Sequence, residues 1–171
     1  MKLQHRFLAL LFLVAPILSW AEAGVAVHVT LSPAGSFIAE TERVTGTAYK
    51  TADGVAAENV VVDITSLKTG VSLRDKHTKE HLLSEKFPQA KLLKAVGKNG
   101  KGEALIEIKG IKRKVAGTYT IAGNMLKASF PIHLPDLEIT GIKYMGVGVK
   151  DDVTVDINLP LGPAPAKTAK K

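Results

Sequence analysis

Val153-Thr154-Val155-Asp156-Ile157-Asn158-Leu159 alternates apolar and polar side chains without a break. Period two places Val153, Val155, Ile157 and Leu159 on one face of an extended chain. Thr154, Asp156 and Asn158 fall on the other, as in a strand with one dry face and one wet face. The pattern recurs outward from this stretch. Val25, Val27, Val29 and Leu31 alternate with Ala26, His28 and Thr30, and Val60, Val62 and Ile64 oppose Val61, Asp63 and Thr65. Ala104, Ile106 and Ile108 alternate with Leu105, Glu107 and Lys109, while the runs 114–122 and 125–132 meet at Gly123-Asn124, a tight hairpin signal. Turn formers punctuate the chain at Ser32-Pro33-Ala34-Gly35, Asp53-Gly54, Asn99-Gly100-Lys101-Gly102 and Gly110. Many short strands spaced this way predict an all-β sandwich or barrel. The single interruption runs from Leu73 to about Ser84, where period two is lost and charges crowd together. A short helix is expected there.

The chain has 171 residues, 46% of them hydrophobic and 23% charged, with 23 Lys+Arg against 16 Asp+Glu for a net charge of +7. That is enough apolar material for one domain with a real core. Cysteine is absent, which excludes thiol catalysis, disulfides and thiolate metal sites. Lys2 and Arg6 precede an uncharged stretch from Phe7 to Trp20, and Ala21-Glu22-Ala23 gives a small-x-small cleavage pattern. A spanning helix needs about 20 apolar residues, and Pro16 interrupts this one. Residues 1–23 therefore read as a cleaved secretory signal, which places the protein in the periplasm or outside the cell with no transmembrane segment and no lipidation cysteine. Without that segment the chain keeps 148 residues and, as Lys2, Arg6 and Glu22 leave, a charge of +6. Trp20 leaves too, so six scattered Phe and Tyr are the remaining rings. That is a poor platform for single-stranded nucleic acid. Residues 161–171, rich in Pro, Ala and Lys, read as a mobile tail.

Three stretches invite a chemical reading. His77-Thr78-Lys79-Glu80-His81 spells H-x-x-E-H, the zinc signature of inverted metalloproteases. On a helix His77 and His81 would lie one turn apart, but that chemistry also needs a long helix, a third ligand and a cleft, which a chain of strands does not offer. Ser66, Ser72 and Ser84 lie near His77 and Asp75 without a nucleophile elbow. Gly146-Val147-Gly148 lacks the Lys-Ser/Thr of a phosphate loop and suits a bulge or close backbone approach. No enzyme, metal or cofactor is expected. His28 and His133, single in strand patterns, read as structural. Lys109, Lys112, Arg113 and Lys114 form the densest basic group, a solvated turn or a contact for an anionic envelope surface.

The segment Ser66-Leu67-Lys68-Thr69-Gly70, then Arg74-Asp75-Lys76-His77, then Phe87-Pro88, describes a strand that ends in a polar turn, a charged helical turn and a return to extended chain. Arg74 and Asp75 are adjacent and cannot face each other on a helix, so each needs a partner elsewhere. This arrangement resembles the YceI-like family, in which Ser66, Leu67, Thr69, Gly70, Arg74, Asp75, His77, Phe87 and Pro88 occupy the motif positions. Ile108 to Val115 and Tyr144 to Val153 are similar to its later landmarks. The resemblance covers about residues 36–160 and implies a periplasmic or secreted protein with a polyisoprenoid-binding, lipocalin-like barrel.

The expected architecture is thus an antiparallel lipocalin-like barrel of about eight strands over residues 24–160, with one short helical insertion at about 73–84. Alternation makes Val60, Val62, Ile64, Ile106, Ile108, Leu126, Phe130, Val155 and Ile157 the candidate lining. A barrel of this size holds one small ligand or is filled by its own side chains. The first case makes the protein a carrier of an isoprenoid or fatty chain. The second makes it a packed barrel that acts through its basic surface.

Overall fold

The computed structural model describes residues 22–144 and 146–165. The expected signal segment lies, up to Ala21, outside the described residues. Twelve strands and one α-helix follow in order: β1 (Gly24–Ser32), β2 (Ser36–Thr41), β3 (Val44–Thr45), β4 (Ala48–Lys50), β5 (Val55–Asp63), α1 (Ser72–His81), β6 (Gln89–Lys98), β7 (Lys101–Ile108), β8 (Ile111–Ala122), β9 (Met125–His133), β10 (Lys143–Tyr144), β11 (Val147–Val149) and β12 (Asp152–Pro160). All named strand pairs are antiparallel.

β5 pairs with β6 across the segment that carries α1, β6 to β9 continue as successive hairpins, β12 lies between β9 and β1, and β2 pairs with the far edge of β1. The stretch from β2 to β4 is one bent strand. Its first part bonds to β1 and its second part to β5, which brings the two ends of the sheet together. The ring is then this bent strand followed by β5, β6, β7, β8, β9, β12 and β1, an antiparallel sheet nearly closed into a barrel. Closure leaves few free edges to pair with other chains.

Local chemistry explains the turns. Asn99-Gly100 and Lys109-Gly110 both have positive φ at the two central positions, as a type I′ hairpin requires. At the β8–β9 turn Ala122 pairs with Met125, and Gly123 supplies the positive φ. Val153, Val155, Ile157 and Leu159 on β12 are all buried, so the alternation in this strand becomes the inner face of the barrel.

The expected helical insertion is α1, Ser72–His81, and the chain leaves it through a Schellman turn: Leu83 N–H donates to Glu80 O and Ser84 N–H to Lys79 O. The first two residues of the expected tail are hydrogen-bonded to the barrel. Leu161 N–H donates to Asn124 O and Gly162 N–H to Ala48 O, which fastens both residues to the barrel.

Candidate ligand-binding cavity

Inward-facing side chains do not meet at the centre of the barrel. They enclose a cavity of about 500 Å³, and its wall is aliphatic on nearly every side. β1 contributes Val25, Val27, Val29 and Leu31, and β12 contributes Val153, Val155 and Ile157. Val71, Leu73 and Val147 belong to the wall yet are 50%, 50% and 40% exposed, so the wall reaches solvent at these side chains. Towards the opposite end, Leu92, Phe130 and Ile157 divide this space from a second cavity of about 70 Å³, whose wall includes Gly97, Gly117 and Tyr119. The barrel is therefore hollow at one end and nearly filled at the other. The filled barrel weighed as an alternative describes only the latter half.

Of the nine side chains expected as lining, Val62, Ile64, Ile106, Ile108, Phe130, Val155 and Ile157 stand on the large wall. Leu126 lines the small cavity instead. Val60 lines neither: it is fully buried, with the backbone of Gly46 pressed against it, because the bent strand that closes the barrel crosses there. The four β1 residues also alternate in the sequence but do not belong to the expected lining. Alternation marks the dry face of a strand without saying which dry faces border an empty space.

The segment between β5 and β6 carries the motif and covers the cavity. Ser66 Oγ donates to Asp63 O at 2.6 Å and lies 2.6 Å from Thr41 Oγ1. Leu67 is buried and reaches the cavity wall. Thr69 then engages both charged neighbours. Its N–H and hydroxyl donate to Asp75 Oδ1, and its carbonyl accepts from Arg74 Nη2 at 2.8 Å. These bonds from Thr69, its hydroxyl first, hold the Asp75 carboxyl below its ordinary pKa, with Lys79 and Arg74 adding to the effect. Gly70 supplies a left-handed turn, with φ of 79°, between the two. The return path is fastened by Phe87 N–H to Leu83 O and by Ile64 N–H to Pro88 O.

On α1, Leu73, Arg74, His77, Thr78 and His81 stand on the cavity wall, and none of the helix residues is buried. The helix is a lightly seated cover. Glu80, which the metalloprotease pattern would need as a base, is exposed and pairs with Lys76 at 3.8 Å. Among the described residues no group of three His, Asp or Glu side chains converges to hold a metal ion. His28 and His133 lie outside the cavity wall, bonded to Asp156 and Asp152 at 2.9 Å each. The Asp152 bond raises the pKa of His133. In the basic turn, Lys109 donates to Glu138 O and Lys112 pairs with Glu107, so part of that charge is used within the fold.

A nearly closed antiparallel barrel, hollow under a helical cover, places the protein in the class of lipocalin-like barrel folds. The YceI-like domain model matches residues 22–161, and the chain belongs to that family. Among solved structures, BcnA of Burkholderia cenocepacia is similar with a TM-score of 0.60 at 14% identity, over 79% of this chain and 94% of that one. A polyisoprenoid binding domain from Saccharophagus degradans, implicated in plant cell wall breakdown, is similar at 0.53 and 13% identity, over 80% and 91%. No curated protein sequence matches the chain. Among the described residues no helix is long and apolar enough to cross a membrane.

Proposed function

We propose that this is an extracytoplasmic binding protein that holds an isoprenoid or fatty chain inside its barrel and carries it through water without chemical change. The observation behind this reading is the wall: about 500 Å³ of space with almost nothing but aliphatic carbon around it. That volume falls within the usual range for small-molecule pockets. Such a lining offers water no hydrogen bonds, whereas each methylene moved into it contributes roughly 0.8 kcal/mol. Family membership and the polyisoprenoid-binding relative support a lipid rather than another apolar guest. The location rests on the N-terminal pattern from Lys2 to Ala23. Export predicts a mature chain that begins near Gly24, which the intact mass of the exported protein reads directly.

The lipid reading is tested by purifying the protein from a bacterial envelope and analysing an organic extract by mass spectrometry. About one isoprenoid or fatty molecule per chain is expected. A clean extract, together with no uptake of added lipid, would return the barrel to a surface role.

A further inference from the structure

Among the described residues the cavity wall carries two permanent cations, Arg74 and Lys91, and no carboxylate. Arg74 is the better defined of the two. Its guanidinium carbon sits 4.4 Å from the centre of the Phe37 ring, and one terminal nitrogen bonds to Thr69 O. Its Nε is buried and has no hydrogen-bond partner. No carboxylate lies within ion-pair distance of Arg74 among the described residues. The adjacent Asp75 is occupied by Thr69.

A guanidinium presents five N–H donors in a rigid fork that matches a carboxylate or phosphate. Here the fork is held by a ring face on one side and a carbonyl on another, which fixes its direction. Removing a charge and an N–H from water without supplying a partner is unfavourable. An anion that arrives with the ligand would remove that penalty. Dipole recognition by a neutral head would leave the charge uncompensated, so an oxyanion is the better match. This step rests on the lipid reading above. We propose that Arg74 receives the oxyanion head, carboxylate or phosphate, of an amphiphile whose chain occupies the cavity.

The test compares dodecanoate, dodecyl phosphate and dodecanol, all below their micellar concentrations, binding to the full mature chain at pH 7. One or both anionic heads should bind about tenfold or more tighter than the alcohol, in line with one charge-assisted pair. Which one does so distinguishes a fatty acid from a phosphate-headed lipid. Arg74→Met should erase the preference, read as the ratio of anionic-head to dodecanol affinity within the same variant, and Arg74→Lys should keep only part of it. Equal binding of all three by the unaltered protein, or a preference that survives Arg74→Met, overturns the inference while the lipid reading stands. If nothing binds, both fall.

Should Arg74→Met fail to fold, carboxyl-labelled dodecanoate on the unaltered protein gives an independent readout. Beside Arg74 its carboxyl stays ionised at pH values where the free acid protonates. Titration at or above the free-acid value contradicts the proposal.

Discussion

Thr69 joins the two members of the Arg74-Asp75 pair, one through its carbonyl and the other through its hydroxyl and N–H. Adjacency in the sequence shows that Arg74 and Asp75 need separate partners, since adjacent helix residues diverge, but not that one residue serves both. The consequence is visible in the pH dependence of stability. Asp75 is held low by the Thr69 bonds and Asp63 chiefly by the Thr65 hydroxyl. A lowered carboxyl contributes fully above its ordinary value and loses that contribution as pH falls through the lowered one. Thermal stability should therefore fall below about pH 4. Asp75→Asn should lower Tm at pH 7 and make the acid limb shallower, with Asp63 supplying the remainder. An unchanged limb would mean that the Thr69 bonds add nothing to folding. Leu83 offers a second check. It is exposed, with φ of 50°, at the position after a helix where glycine is preferred. Leu83→Gly relieves a left-handed Cβ clash worth about 1–2 kcal/mol against an unfolded-state cost of about 0.4–1. Urea unfolding should show the variant unchanged or up to about 1 kcal/mol more stable. A loss of more than 1 kcal/mol would show that the Leu83 side chain is needed.

The regular elements were readable where nothing interrupted the period. β12 and β1 follow their alternation, and the hairpin at Gly123-Asn124 falls where the turn chemistry puts it. β6 gave no clean period because its register shifts between Leu92 and Lys94. A bulge there places Leu92 and Leu93 in succession and breaks the alternation that marks a strand. The bent strand from β2 to β4 was unreadable for a related reason: it divides its bonds between two neighbours in pieces too short to show a period. Close strand approach within β8 is decisive for the narrow end. A Cβ on Gly117 would stand 2.2 Å from the Ser129 carbonyl oxygen, and backbone cannot give way as a side-chain tip can. Gly117→Ala should destabilise the barrel by about 1–3 kcal/mol, read as a lower urea midpoint at unchanged m-value. A neutral result would mean that β8 and β9 separate freely, contrary to a tightly filled end.

At the scale of the molecule, the barrel class and its covering segment could be read from period two and from the motif between Ser66 and Pro88. Whether the barrel was hollow could not. Alternation reports which side chains turn inward, whereas an empty centre depends on how far apart opposite walls are held. That distance is fixed by closure through the bent strand and by Gly97 and Gly117 at the narrow end, contacts made across the chain. The central claim is that the wide end accepts an aliphatic chain by burying it. A series of straight-chain alcohols from eight to fourteen carbons, titrated calorimetrically against the purified protein, tests this most directly. Saturable binding of one molecule per chain is expected, tightening about fourfold with each added methylene and accompanied by a negative heat-capacity change, until the chain outgrows the cavity. No saturable binding, or an affinity indifferent to chain length, would contradict it.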